Sequence, residues 1–169
     1  MCCKGSSVQA RLTIHAAERD QGKTTSLVQL VRQCRAQKMH ICGVLALANP
    51  EKTVYRLKDL FSQEERLALS EMPIAQGKRI GRFYLDEQVF DWINDRIIQS
   101  LPGSQVAIFD EIGKLEISGE GLAVSFRKAL ETPGLQIFAA VRIPFIEEVL
   151  NSFSIPRERV EITYVGYKE

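Results

Sequence analysis

The chain predicts an α/β fold of three layers: helices on both faces of a mostly parallel central sheet, with a small antiparallel β insertion. Three observations lead there. Short apolar runs alternate with stretches of helical periodicity through most of the chain. One of those runs, VAIF at 106–109, is apolar without a break, as suits a strand covered on both faces. The runs early in the chain instead follow one another with only turn sequence between them, the mark of antiparallel hairpins.

Residues 11–16 (RLTIHA) form the opening β-prone run, and the polar stretch behind it leads into a helix whose Leu27, Leu30, Val31 and Cys34 share one face. Residues 41–48 (ICGVLALA) read as the second strand. It stops at Asn49-Pro50-Glu51-Lys52, and residues 53–60 return beside it. With a polar turn over 62–66 and a short strand over 67–70, the antiparallel insertion is assigned to residues 43–70. Pro73, Gly77 and Gly81 among basic residues make 72–82 a loop expected to order around a ligand. Asp86 is placed to cap a helix reaching Leu101, with Phe90, Ile93 and Ile97 on its apolar face and Trp92 at the margin. Pro102-Gly103 ends it, and the strand 106–109 then stops at two acids. A helix carrying Leu122, Phe126, Ala129 and Leu130 follows, then a strand over 135–141, a short helix with Ile146, Val149, Leu150 and Phe153, and a closing strand over 160–165. In this order of elements, ligands gather at the carboxyl ends of the parallel strands.

The 169 residues, 45% of them hydrophobic, predict a single domain that buries its core without disulfide or metal staples, residues 1–10 forming a flexible tail. Twenty-two Lys and Arg against 21 Asp and Glu leave a net charge of +1, which argues against extended nucleic-acid binding and against attraction to anionic lipid. No apolar stretch approaches the roughly 18 residues of a membrane span, so a cytoplasmic protein with no membrane partner is expected. Cys2, Cys3, Cys34 and Cys42 contain no C-x-x-C pair and read as reduced thiols. His15 and His40, without partner patterns, read as structural, and Phe83, Tyr84, Trp92 and Phe153 as core or rim.

Two places concentrate chemistry. The first joins the opening strand to the first helix: Ala17, Glu18, Arg19, Asp20, Gln21, Gly22, Lys23, Thr24 and Thr25. A loop at such a junction wraps phosphates in backbone N–H groups at the positive end of the helix dipole. Lys23 would reach the β and γ oxygens, and the Thr24 hydroxyl would ligate Mg²⁺. The loop departs from the G-x-x-x-x-G-K-[ST] pattern, since Ala17 replaces the opening glycine and Arg19, Asp20 and Gln21 stand where small residues are usual. Asp20 is the awkward one, because its carboxylate would repel phosphate unless turned outward or compensated by Arg19; Asp does tolerate the left-handed backbone region.

The second place is Asp110-Glu111, directly after the buried run. An aspartate there holds the Mg²⁺ and an adjacent glutamate polarises the attacking water as general base. Solvent-facing termination of a strand is the alternative for an isolated acidic pair. The order Lys23, Thr24, Asp110, Glu111 along the chain favours phosphoryl chemistry.

The run Asp110-Glu111-Ile112-Gly113-Lys114-Leu115-Glu116 (DEIGKLE) closely resembles the signature of THEP-type nucleoside-triphosphatases, small P-loop NTPases with a RecA-like or AAA-like core. That family also has a β-rich insertion after the first helix and an R-x-G-[RK]-[FY] stretch, here Arg79-Ile80-Gly81-Arg82-Phe83. The resemblance implies Mg²⁺-dependent hydrolysis of nucleoside triphosphates, ATP and GTP among them, to diphosphate and phosphate with broad base tolerance. It places Lys23 and Thr24 at the phosphate and metal positions, Asp110 at the metal-linked acid and Glu111 at the base. Arg82 either faces the nucleotide or is solvated; Arg142, where the family often has Thr nearby, either stabilises the transferring phosphate as a cis arginine finger or caps the sheet. Two other functions remain open: a small-molecule or nucleotide kinase, which needs an acceptor pocket and a lid, with 72–82 as lid candidate, and a non-catalytic nucleotide sensor or adaptor built on a degenerate phosphate loop.

Overall fold

The structure is a computed structural model describing residues 8–166. Its central feature is a nine-stranded sheet in two styles. Five strands run parallel: β1 (Arg11–Ala17), β2 (Ile41–Ala48), β7 (Val106–Phe109), β8 (Gln136–Arg142) and β9 (Val160–Tyr164). They lie in the order β2-β7-β8-β1-β9. Four antiparallel strands continue the sheet beyond β2: β3 (Val54–Asp59), β4 (Glu65–Ser70), β5 (Lys78–Ile80) and β6 (Phe83–Leu85), in the order β2-β3-β4-β6-β5.

Helices cover both faces, and the strand sequences show why. In β7, Val106 and Ile108 pack on one side with Leu27, Val31 and Cys34 of α1 (Lys23–Ala36). Ala107 and Phe109 point to the other side, where α2 (Glu87–Ser100), α4 (Ala123–Leu130) and α5 (Ile146–Ser152) supply Ile93, Ile97, Phe126 and Val149. A strand with both faces covered has no place for a polar residue, hence the unbroken apolar run. Phe126 is the centre of this larger layer, edge-to-face with Phe109 at 5.2 Å and with Phe153 at 4.9 Å. Asp86 caps α2 as the sequence predicts, accepting from the N–H groups of Gln88 and Val89.

β2 is shared between the two halves of the sheet. Ile41–Val44 pairs with β7 in parallel, whereas Val44–Ala48 pairs with β3 in antiparallel. The approach of β2 to β7 is so close that only glycine fits at position 43: φ is +119°, and a Cβ would lie 2.0 Å from the Ile108 carbonyl oxygen.

Three expectations change. The antiparallel ribbon runs from β3 to β6, 54–85, rather than over 43–70, because β2 belongs first to the parallel sheet. Residues 72–82 are not all loop: β5 lies within them and pairs with β6 around Gly81, whose φ of +58° makes the turn. Their brevity, three residues each, hid them. The expected tail ends sooner, for Ala10 is buried and its carbonyl accepts from Arg159 at 2.9 Å, while the Val8 carbonyl accepts from Gly134 N. Residues 1–7, with Cys2 and Cys3, lie outside the described residues; Cys34 and Cys42 are buried free thiols. Among the described residues no helix is long and apolar enough to cross a membrane.

Candidate functional site

The phosphate-loop candidate follows β1. Its helix α1 starts at Lys23 with Gly22 as N-cap, at φ +88°, and no side chain caps the first turn. The first-turn N–H groups therefore face outward at the positive end of the helix dipole, the arrangement that attracts an anion. Lys23, itself buried, donates to the Glu18 carbonyl at 2.9 Å, folding 18–22 around its own ammonium.

Asp110 stands where β7 ends. Phe109 pairs with Val44, and beyond that point β2 runs on toward Ala48 paired with β3 alone, leaving an N–H without a partner in β7. Asp110 takes it: Ala46 N donates to Oδ2 at 3.2 Å, and the Thr24 hydroxyl donates to Oδ1 at 3.2 Å. Burial pushes the Asp110 carboxyl up to about 6, against these hydrogen bonds and the charge of Lys23, which pull it down. Neighbouring Glu111 meets Arg142 at the end of β8, with Nε 3.0 Å from Oε1. The charges touch, yet the buried Nε–H points off that oxygen and has no hydrogen-bond partner.

These groups share one cavity of about 690 Å³, walled by Arg19–Thr25, Ala46–Ala48, Asp110, Glu111 and Arg142, and extending under the β3–β6 ribbon. Of the expected site residues, the structure brings together Arg19, Asp20, Gln21, Gly22, Lys23, Thr24, Thr25, Asp110, Glu111, Arg82 and Arg142 on that cavity. Ala17 and Glu18 are not on its wall: Ala17 is buried at the end of β1, and Glu18 contributes its carbonyl to Lys23. Arg82 is ion-paired with Glu71 at 3.1 Å and stacks on Phe83 at 4.9 Å.

Asp20 does occupy the left-handed region, at φ 59°. Its carboxylate is held by Lys52 at 2.7 Å, with Arg19 farther off at 3.9 Å. The Lys52 hydrogen bond, the leading influence, keeps the Asp20 carboxyl below its usual range. The compensating cation thus comes from the β2–β3 turn, 32 residues away, which no local pattern around the loop could indicate.

Glu116 acquires a structural role. It is buried, and its two oxygens accept from Gly113 N at 2.9 Å and Leu122 N at 3.0 Å, tying the start of α3 (Lys114–Ile117) to the approach of α4. Ile112 N is held by the Ala140 carbonyl at 2.9 Å, so the segment behind the acids is fixed on both sides. Burial raises the Glu116 carboxyl to about 7 from 4.5, outweighing the N–H groups that lower it. Between those values the fold holds a proton that the unfolded chain has released. This contribution to stability is therefore complete below about 4.5 and is lost as pH rises toward 7. Denaturant midpoints at pH 4.5, 6 and 7.5 should show the loss in the parent and a flatter profile in Glu116→Gln; identical slopes would refute it. His15 contacts Ser26 Oγ at 2.6 Å and the Phe138 ring edge-on, a link between β1 and α1 in keeping with a structural histidine.

A family model described as an NTPase matches residues 14–166. The chain belongs to that NTPase family. The match agrees with the THEP-type resemblance of the DEIGKLE run and with the P-loop α/β fold expected from the sequence. A human protein named cancer-related nucleoside-triphosphatase is 27% identical over 97 residues, 51% of this chain and 51% of the relative. The chain thus spans about half the length of that curated relative. Two solved structures share the fold: THEP1 from the hyperthermophile Aquifex aeolicus, with TM-score 0.71 and 18% identity over 91% of this chain and 89% of that one, and a human cancer-related nucleoside triphosphatase, with TM-score 0.71 and 20% identity over 94% and 90%.

Proposed function

We propose that this NTPase-family chain binds a Mg²⁺–nucleoside triphosphate, ATP or GTP included, and hydrolyses it to diphosphate and phosphate. The observation that carries the reading is the convergence, on one cavity, of an uncapped helix start, Lys23, the Thr24–Asp110 hydrogen bond and Glu111. The first-turn N–H groups and Lys23 bind phosphate oxygens. These contacts are common to every nucleoside triphosphate, which supports broad base tolerance.

A hard divalent ion suits the Thr24 hydroxyl and Asp110 carboxylate, two oxygen donors already within 3.2 Å of each other. Among the described residues no group of three or more His, Cys, Asp or Glu side chains is placed to hold a metal, so the remaining ligands would be phosphate and water oxygens, as Mg²⁺ prefers. When bound, Mg²⁺ would offset the charge of the phosphates. Glu111 orients a water for in-line attack and receives its proton. Arg142, on the cavity wall beside Glu111, donates to the γ-phosphoryl oxygens as charge shifts toward the leaving group.

Calorimetric titration with ATP and GTP in Mg²⁺ tests the reading. Lys23→Ala should weaken both affinities by at least tenfold, since a charge-assisted hydrogen bond contributes ~1.5–3 kcal/mol; undiminished binding by the variant would overturn it. The Asp20–Lys52 pair gives a finer check. Lys52→Ala frees a carboxylate beside the phosphates and should weaken nucleotide binding by ~0.2–1 kcal/mol, the range for an exposed pair. Adding Asp20→Asn should restore it, and a double variant no better than Lys52→Ala alone would show that Asp20 faces away from the nucleotide.

A further inference from the structure

Hydrolysis needs only a water beside Glu111, yet the cavity continues well past that residue. Across the sheet order β1-β8-β7-β2-β3-β4-β6, the phosphate loop follows β1 and the acids follow β7. On the far side of the acids the wall becomes apolar: Leu47 from β2, Tyr55 and Leu57 from β3, Leu69 from β4, Phe83 from β6 and Phe90 from α2. Tyr55 and Phe83 stand edge-to-face at 5.6 Å, and Arg82 lies over the outer ring. If Lys23 holds the β and γ oxygens and Glu111 orients the nucleophile, as proposed above, a ligand in this compartment would reach the γ-phosphorus from the acids' side, across from the phosphate loop. An apolar and aromatic wall left wet is unfavourable; a ligand that covers it recovers that free energy.

The charges narrow the class of ligand. Two cations at the rim are occupied, Lys52 by Asp20 and Arg82 by Glu71, and Lys114 on the same wall lies over the Phe145 ring at 5.5 Å. A phosphate beside Lys52 or Arg82 would have to displace a carboxylate, whereas an uncharged molecule with a planar ring would not.

We propose that the apolar compartment is an acceptor subsite for a nucleoside, and that this centre transfers the γ-phosphoryl group to the nucleoside's hydroxyl. The inference rests on the triphosphate-binding reading above and extends it. The hydroxyl oxygen bonds to the γ-phosphorus as the bond from that phosphorus to the β,γ-bridging oxygen breaks. The nucleoside diphosphate leaves with that electron pair, and the hydroxyl proton passes to the Glu111 carboxylate. Nucleoside and triphosphate thus become nucleoside monophosphate and diphosphate, without oxidant or reductant.

The test uses the full chain with Mg²⁺ and ATP labelled on the γ-phosphate, alone and with adenosine, guanosine, cytidine, uridine or thymidine. The expected result is label in a nucleoside monophosphate with at least one acceptor. Tyr55→Leu and Phe83→Leu should each lower transfer at least tenfold more than they lower hydrolysis, and their hydrolysis reports that the variants are folded. Label found only in inorganic phosphate with all five nucleosides overturns the acceptor subsite and leaves the hydrolase reading standing. A nucleoside that raises the KM for ATP without accepting label also overturns it, because the compartment would then hold the triphosphate's own base. Failure of ATP to bind or be consumed removes the triphosphate reading, and the acceptor proposal falls with it.

Discussion

Glu111→Gln should bind ATP and GTP about as well as the parent while hydrolysis falls by ~10²–10⁴-fold, the usual worth of general base catalysis. Glutamine keeps the size of the side chain and one acceptor oxygen but has no carboxylate to take a proton from water. Glu111 is not needed to hold Asp110, whose partners are Thr24 and Ala46 N, so phosphate and metal contacts survive the change. The substitution also removes the charge opposite Arg142, 3.0 Å away, and leaves that guanidinium free to face phosphate. Affinity that holds or tightens, together with lost turnover, is the signature expected from paired calorimetry and phosphate-release assays. Equal turnover by variant and parent would remove Glu111 from the role of base.

Gly43→Ala should be the most damaging single methyl in the chain. The new Cβ would sit 2.0 Å from the Ile108 oxygen and 2.6 Å from its nitrogen, both backbone atoms of a central strand, and at a φ of +119°. Backbone in the middle of a sheet cannot yield as a flexible side chain does, so the β2–β7 ladder must part, and Ala46 N moves away from Asp110 with it. A loss above ~4 kcal/mol is expected, at the extreme of single substitutions. Gly81→Ala is the control: it too has positive φ, +58°, but nothing lies within 4 Å of the added carbon, and ~1–2 kcal/mol of left-handed strain is the whole effect. Denaturant unfolding of the two variants side by side decides the matter. Similar midpoints would mean that β2 and β7 are not in the close contact described.

Much of the fold is legible locally because periodicity reports burial. Val106–Phe109 is apolar at every position since both faces are covered, and Leu27, Val31 and Cys34 repeat at helical spacing since α1 buries one stripe. Lys23 and Thr24 at a strand-to-helix junction, and two acids at the end of a buried strand, are equally visible, since their positions are set by the ends of elements. Three-residue strands such as β5 and β6 show no period at all. They exist because β4 offers an open edge, which Leu69 and Ser70 fill by pairing with Leu85 and Tyr84. The same limit conceals Phe83 and Tyr55: in sequence they are scattered aromatics, and only the ribbon brings their rings to 5.6 Å on a common wall.

The sequence by itself determined the α/β class, the order of most strands and helices, and the two motifs that meet on the cavity, because each depends on residues within one or two turns of chain. Tertiary structure alone decided what completes the site. Lys52 compensates Asp20 from another turn, Ala46 N reaches Asp110 because β2 outruns β7, and Glu116 binds Gly113 and Leu122 beneath the acids. Each of these is a contact between elements, and its partner is chosen by strand order and register rather than by any pattern near it in the chain.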